Sequence, residues 1–319
     1  MKKASGLIPD SPCLVFSSRK ARYDNSVDPE NNVDWQSKLI LLVVCPWVTI
    51  ELLLVTIDWL HGDQEVAWWT IGLSAFLGFL AWLMRSGTPG AAMMGALITA
   101  GLMYATSPSP YDPLRTALVP VVTLLVLTSM ATRYGRRHKE RLGIAELPHG
   151  RVASQVCANL GVAGIVAQTP VQIFLIDHGL LNTSTVEPLR IVVPALAALA
   201  EAAADTVSSE IGQVLGGAPR LITTLGRVAP GEDGGITVAG TLAGIVAAGI
   251  VAVPGCLLME AGSGVLAVAW AGGVFGLLFD SVLGATLERI GWLNNDAVNF
   301  LSTLSAAVFS MVLLAFVAH

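Results

Sequence analysis

Nine apolar stretches run along this chain, separated by short polar or glycine- and proline-rich breaks. They cover residues 39–59, 66–84, 90–106, 115–132, 152–176, 189–209, 236–256, 262–284 and 298–317. Each is long enough for a helix to cross ~30 Å of hydrocarbon. A backbone in that medium finds no water, so the segments must be helices. The breaks carry the expected punctuation: Gly87-Thr88-Pro89-Gly90, Pro108-Ser109-Pro110, and Pro230-Gly231 with Gly234-Gly235. The fold class expected is all-α, a polytopic helical membrane protein with eight or nine transmembrane helices. Residues 1–37 are polar and have no apolar core like that of a signal peptide. They read as a flexible cytoplasmic tail ahead of a single helical membrane domain at 38–319.

Composition agrees with the pattern. Hydrophobic residues make up 54% of the chain and charged residues 13%, and the mean hydropathy is +0.67. A soluble domain carries about 25% charged residues. The net charge of −5 matters less than where the cations sit. With the tail inside, 16 of the 18 Lys and Arg residues fall in the inner segments 1–38, 85–89, 133–151, 210–235 and 285–297. That is the positive-inside bias. Arg115 and Arg190 lie at outer edges, where long side chains snorkel. The chain therefore reads as nine spans, N-terminus cytoplasmic and C-terminus outside.

Small residues crowd the last five spans, notably at 195–204 and 240–249. Helices in lipid pack closely through such residues, so this half should form the tight bundle. Cys13, Cys45, Cys157 and Cys256 lack metal-ligand spacing, and three of them read as small apolar fillers within spans. No internal repeat stands out, which weighs against an inverted-repeat transporter.

Candidate chemistry sits in five polar segments. Glu201, Asp205, Ser208 and Ser209 share one helix face by their spacing of three and four. Carboxylates near hydrocarbon face a partner or a cavity. A hard cation is the obvious partner, and Mg²⁺ needs one or two carboxylates besides substrate phosphates. The plain alternative is a helix end with solvated acids. Gly231, Gly234 and Gly235 precede a span, where backbone N–H groups and the helix dipole suit phosphate, with Arg220 nearby as a phosphate contact. Such loops also occur as simple connectors. Asp280, Gly284 and Glu288 share a face behind glycines 272, 273 and 276. Asn294, Asn295 and Asn299 can bind a nucleobase or cap the next helix. Arg136, Arg137 and Arg141 belong to a basic loop that can meet lipid headgroups or a substrate phosphate. All five segments fall at the inner face. Glu51 lies alone in the first span, and no site is built on it.

The ordered motifs A-D-T-x-x-S-E, P-R-L-I-T-T, P-G-x-x-G-G, D-S-x-L-G-A-T and N-N-x-x-V-N make the chain resemble the family of transmembrane protein 19 and the plant phytyl-phosphate kinase, over about residues 65–317. That family resemblance implies phosphorylation of an isoprenyl monophosphate, phytyl or geranylgeranyl, to its diphosphate. It implies Mg²⁺ and CTP, or another NTP, as phosphoryl donor. It is similar more distantly to dolichol kinases and CDP-diacylglycerol synthases. On this chain the resemblance marks Asp205, Ser209, Glu210 and Asp280 as metal ligands and Asp205, Asp280 and Arg220 as catalytic. It marks Gly231, Gly234, Gly235, Asn294, Asn295 and Asn299 as nucleotide-binding, and Ser281 within the D-S motif. Arg136, Arg137 and Arg141 are the expected contacts of the prenyl phosphate. Two positions depart from the family's pattern. Glu232 stands where threonine is common, and Glu288 where glutamine often ends the D-S motif. Added negative charge beside a phosphate loop disfavours a nucleotide unless metal offsets it. The expected partners are the bilayer, an isoprenyl monophosphate and a nucleotide, with no nucleic acid. The expected location is a bacterial inner membrane. Two rival readings remain: a lipid-phosphate cytidylyltransferase, and an ion-coupled transporter using Glu51, Glu201 and Asp205.

Overall fold

The computed structural model describes residues 34–144, 150–180, 192–258 and 263–317. Most of the expected tail, Cys13 and Arg190 lie outside them. Helix α1 (Asp34–Gly62) begins four residues ahead of the expected domain edge. It is followed by α2 (Gln64–Leu83), α3 (Pro89–Ala105), α4 (Leu118–Arg133), α5 (Arg136–Leu142), α6 (Ala153–Val166), α7 (Thr169–Asp177) and α8 (Val193–Leu215). A two-stranded hairpin, β1 (Arg220–Leu221) and β2 (Gly235–Ile236), then leads into α9 (Val238–Leu258), α10 (Ser263–Leu283) and α11 (Asn295–Val317).

Within the described residues, each of the nine apolar stretches falls mainly on helix. Length and apolarity qualify five of these helices as unbroken spans: α1, α2, α9, α10 and α11. Two bent pairs raise the number to seven, α4 with α5 at 58° and α6 with α7 at 59°. The expected straight span at 152–176 is thus corrected to a broken one. Pro170 sits in the first turn of α7 and has no N–H to continue the α6 ladder. The Trp47 indole N–H donates to Gln168 Oε1 at that break, 2.5 Å away. The other two stretches are α3, with 17 residues, and α8. The sequence of α8 is diluted by its acids, and the fold explains why that is tolerated. Residues 193–204 of α8 are all buried, because α4, α6, α9, α10 and α11 surround it. The large apolar side chains of α1 and α2, such as Leu42, Trp68 and Phe76, point outward instead, as expected of a lipid-facing surface.

Small residues set the spacing of the bundle. A Cβ on Gly244 of α9 would come within 2.8 Å of the Ala204 carbonyl of α8. A Cβ on Gly273 of α10 would reach 2.8 Å from the Ala200 Cβ. Gly276 is tighter still: a Cβ there would overlap the Glu201 stem and approach the Ala306 Cβ at 2.9 Å and the Ser302 carbonyl at 3.0 Å. These approaches pull α10 onto α8 and α11 together, which places Asp280 beside Asp205. Gly276→Val should therefore cost about 1–3 kcal/mol by overpacking, read as a lower melting temperature of the detergent-solubilised protein. An unchanged melting temperature would show that this seam yields.

Candidate functional site

One polar cavity of about 250 Å³ opens at the end of the bundle that the Lys and Arg distribution assigns to the inner side. Four elements wall it. The last turns of α8 contribute Asp205, Ser208, Ser209, Gly212 and Gln213. The hairpin loop contributes Gly231, Glu232, Asp233, Gly234 and Gly235. The end of α10 with the turn that follows it contributes Asp280, Ser281, Gly284 and Glu288, and the start of α11 contributes Asn295 and Asn299. Segments up to 94 residues apart in sequence thus meet in one site.

Local geometry accounts for the assembly. The chain after α10 widens into a π turn at Gly284–Glu288, closed by the Arg289 N–H donating to the Gly284 carbonyl at 3.2 Å. Such turns insert an extra residue per turn and often mark functional sites. Here the wider turn keeps Glu288 on the Asp280 side. Gly234 lies against that turn with φ +70°, and any Cβ would collide with the Ala285 backbone. Only glycine satisfies both demands at this position. Thr237 accepts the Gly240 N–H at 3.0 Å and so caps the start of α9 at the cavity wall.

The electrostatics are one-sided. Asp205, Asp280, Glu288, Glu232 and Asp233 line the cavity, and its lining contains no Lys or Arg. Burial first, and then Asp205, Glu201 and Glu288, oppose a negative charge on Asp280. Glu201 itself is 1% exposed and lies behind the cavity, with Ser302 of α11 within hydrogen-bonding reach of both it and Asp280. Asp280 Oδ2, Gln213 Oε1 and Glu201 Oε1 are buried acceptors without a hydrogen-bond partner. Buried polar atoms are normally satisfied, so three orphans around one site point to a missing electropositive partner. At the mouth, burial and then Glu232 push the Asp233 carboxyl above its ordinary range, opposed by Arg289. Arg289 also pairs with Glu232 at 3.2 Å. Among the described residues no group of three or more His, Cys, Asp and Glu side chains is arranged as a metal cage. The donor set here is instead carboxylate, amide and hydroxyl oxygen, a hard set that fits Mg²⁺ shared with a phosphate ligand.

The remaining residues singled out in the sequence lie elsewhere. Arg220 does not line the cavity; its guanidinium folds onto the hairpin and donates to the Leu225 carbonyl at 2.8 Å. Glu210 is turned away and pairs with Lys139 of α5. Asn294 caps α11 by accepting the Ala297 N–H at 2.9 Å and donates to Ser37 Oγ at 2.9 Å. Arg136, Arg137 and Arg141 are exposed on α5, with Arg136 bonded to Glu140 at 2.9 Å. None of the three lines the cavity. The glycine loop also spends N–H groups on itself, from Glu232 to the Ala229 carbonyl and from Gly235 to the Glu232 carbonyl. Three residues gain importance that spacing did not give them. Lys139 is buried and holds α5 to α8. Gln213 lines the cavity and carries a buried Oε1 without a hydrogen-bond partner. Arg151 donates to Thr206 Oγ1 at 3.1 Å and acts electrostatically on Asp205.

The profile of the family described as "Integral membrane protein DUF92" matches residues 72–307. The chain belongs to that family. The match spans every residue that lines the cavity. An uncharacterized membrane protein of Methanocaldococcus jannaschii is 42% identical over 118 residues, 37% of this chain and 49% of its own length. Protein VTE6, chloroplastic, of Arabidopsis thaliana is 28% identical over 200 residues, 62% of this chain and 58% of its own length. The alignments thus span about half the length of these two relatives. An uncharacterized membrane protein of Synechocystis is 31% identical over 201 residues, 60% of this chain and 71% of its own. No solved structure matches this DUF92 protein. These relatives come from an archaeon, a plant and a cyanobacterium.

Proposed function

We propose that this DUF92 protein is a CTP-preferring kinase of an isoprenyl monophosphate, phytyl or geranylgeranyl, acting with Mg²⁺ at the cytoplasmic face of a bacterial inner membrane. The observation that carries this reading is the acidic cavity, in which Asp205 and the unpartnered Asp280 oxygen converge beside a glycine loop. The resemblance of its motifs to those of phytyl-phosphate kinases supplies the substrate class. So acidic a pocket would repel a bare triphosphate, and accepts one as its metal complex.

Asp205 and Asp280, with Ser209 at the rim, are the residues that would hold Mg²⁺. A bound Mg²⁺ neutralises phosphate charge, the main need of phosphoryl transfer. Asn295 and Asn299 offer amides to the base or ribose. The loop at 231–235 bounds the phosphates, and Gly234 lets it close on the π turn. The acceptor phosphate is already ionised, so no general base is assigned. Its oxygen forms a bond to the γ-phosphorus, the bond from that phosphorus to the β-bridging oxygen breaks, and CDP departs with the electron pair.

The test is turnover by purified protein offered either prenyl phosphate with CTP, ATP or GTP. Diphosphate lipid and free nucleoside diphosphate should appear, and should vanish when the divalent cation is chelated. Asp205→Asn should lower turnover on the order of 10²–10³-fold. Arg220→Gln, outside the cavity, should lower it less than about tenfold. Pyrophosphate with a nucleotidyl lipid would instead make the protein a cytidylyltransferase. No turnover from folded protein would leave ion-coupled transport as the reading to assay.

A further inference from the structure

A second cavity meets α8 at Ala202, one turn before Asp205. It is an apolar groove between α3 and α4, walled by Leu77 and Gly78 of α2 and floored by Leu160 of α6 and Ala202 of α8. Along α3 it runs from Ala91 to Thr99, about 12 Å at 1.5 Å per residue. Its few polar side chains are turned inward on their own helices. Thr99 donates to the Gly95 carbonyl at 2.7 Å, Thr128 to the Leu124 carbonyl at 2.9 Å, and Asn159 to the Gln155 carbonyl at 2.8 Å. The groove surface is thus hydrocarbon-like, and a ligand there gains little from polar contact.

One end differs. Arg151 lines the groove beside Ser86 and Gly87. Its backbone is pinned, because its N–H donates to the Ser86 carbonyl at 3.2 Å and its carbonyl accepts the Thr88 N–H at 2.9 Å. The guanidinium reaches Thr206, the residue after Asp205, and Asp205 feels its charge. A planar guanidinium is suited to phosphate oxygens. An apolar trough ending in such a cation, one residue from the acidic cavity, complements a single-chain lipid monophosphate in both apolarity and charge.

We infer that the groove between α3 and α4 binds the hydrocarbon chain of the acceptor, with Arg151 holding its phosphate at the edge of the acidic cavity. This rests on the kinase reading for the purpose of the site, though binding itself needs no turnover. It also relocates the acceptor contact from Arg136, Arg137 and Arg141, which face solvent on α5.

Gly95 supplies a probe. A Cβ placed on it meets nothing within 4 Å, so Gly95→Leu has room to leave its helix toward the groove, and an unchanged melting temperature of the variant checks that the fold is kept. Binding is measured without nucleotide, in nanodiscs, for geranylgeranyl monophosphate, geranylgeraniol and dimethylallyl monophosphate. In Gly95→Leu the preference for the C20 over the C5 phosphate should fall on the order of 10²-fold, as several methylenes lose their burial. In Arg151→Gln the preference for the C20 phosphate over the C20 alcohol should collapse. If both preferences survive in the variants, the groove is not the acceptor site, whether or not the protein turns over CTP. If both collapse and turnover is absent even in the wild type, the groove stands and the kinase reading falls. Equal competition by a two-chain phosphatidic acid would make it a general lipid site and overturn the inference.

Discussion

Asp280→Asn should silence turnover while leaving the protein as stable as the wild type, or more so. Asn keeps the shape of Asp but cannot take on the negative charge that burial and then Asp205, Glu201 and Glu288 oppose at this position. The Oδ2 atom that changes has no hydrogen-bond partner to lose. A residue kept for folding would behave in the opposite way, since breaking its contacts costs stability. A site residue is often strained in the resting protein and gives stability back when neutralised. The expected loss of turnover is on the order of 10²–10³-fold, with a melting temperature equal to or above that of the wild type. Full activity in a stable Asp280→Asn protein would remove the carboxylate from the account. A sharp fall in melting temperature would make it structural.

Lys139→Met should be the most destabilising exchange on the inner surface. Lys139 is 1% exposed. Its ammonium donates to the Thr132 carbonyl at 2.7 Å and the Ala131 carbonyl at 3.4 Å, and pairs with Glu210. Removing the cation strands the Glu210 carboxylate, whose side chain is 15% exposed. Breaking a buried pair from one side costs about 3–5 kcal/mol, whereas removing both partners can be nearly neutral. The partial exposure of Glu210 argues for the lower end. The double variant Lys139→Met with Glu210→Leu should recover most of the loss, and a double-mutant cycle on unfolding free energies in detergent reads the difference. Additive losses would mean that the ion pair is incidental. Activity should fall with the single variant as well, because Glu210 adjoins Ser209 on the cavity rim.

The helices were legible because hydrocarbon imposes one rule on every span, a long apolar run without water for the backbone. That rule found α8 too, but could not say why its acids are tolerated. The answer is tertiary: five helices screen α8 from lipid. The cavity was legible in its acids and glycines. The small-residue faces around Gly244, Gly273 and Gly276 foretell close packing, and close packing brings Asp205 to Asp280. The cations were not legible. Counting Lys and Arg assigns a side of the membrane, yet Arg220, Arg141, Lys139 and Arg151 count alike there. Which one is exposed, which one pairs and which one closes a groove depends on the 58° bend into α5 and on the pinning of Arg151 to Ser86. The Asn cluster divides for a similar reason. Asn294 falls at the cap of α11, while Asn295 and Asn299, a turn apart, face the cavity.

The central claim is transfer of the terminal phosphoryl group to a lipid phosphate, and label transfer tests it most directly. The purified protein would be incubated with geranylgeranyl monophosphate, Mg²⁺ and CTP labelled either at the γ- or at the α-phosphate, and the lipid extract would be chromatographed. The account predicts label in a lipid diphosphate from γ-labelled CTP alone. Label entering the lipid from α-labelled CTP would mean nucleotidyl transfer, and would contradict it.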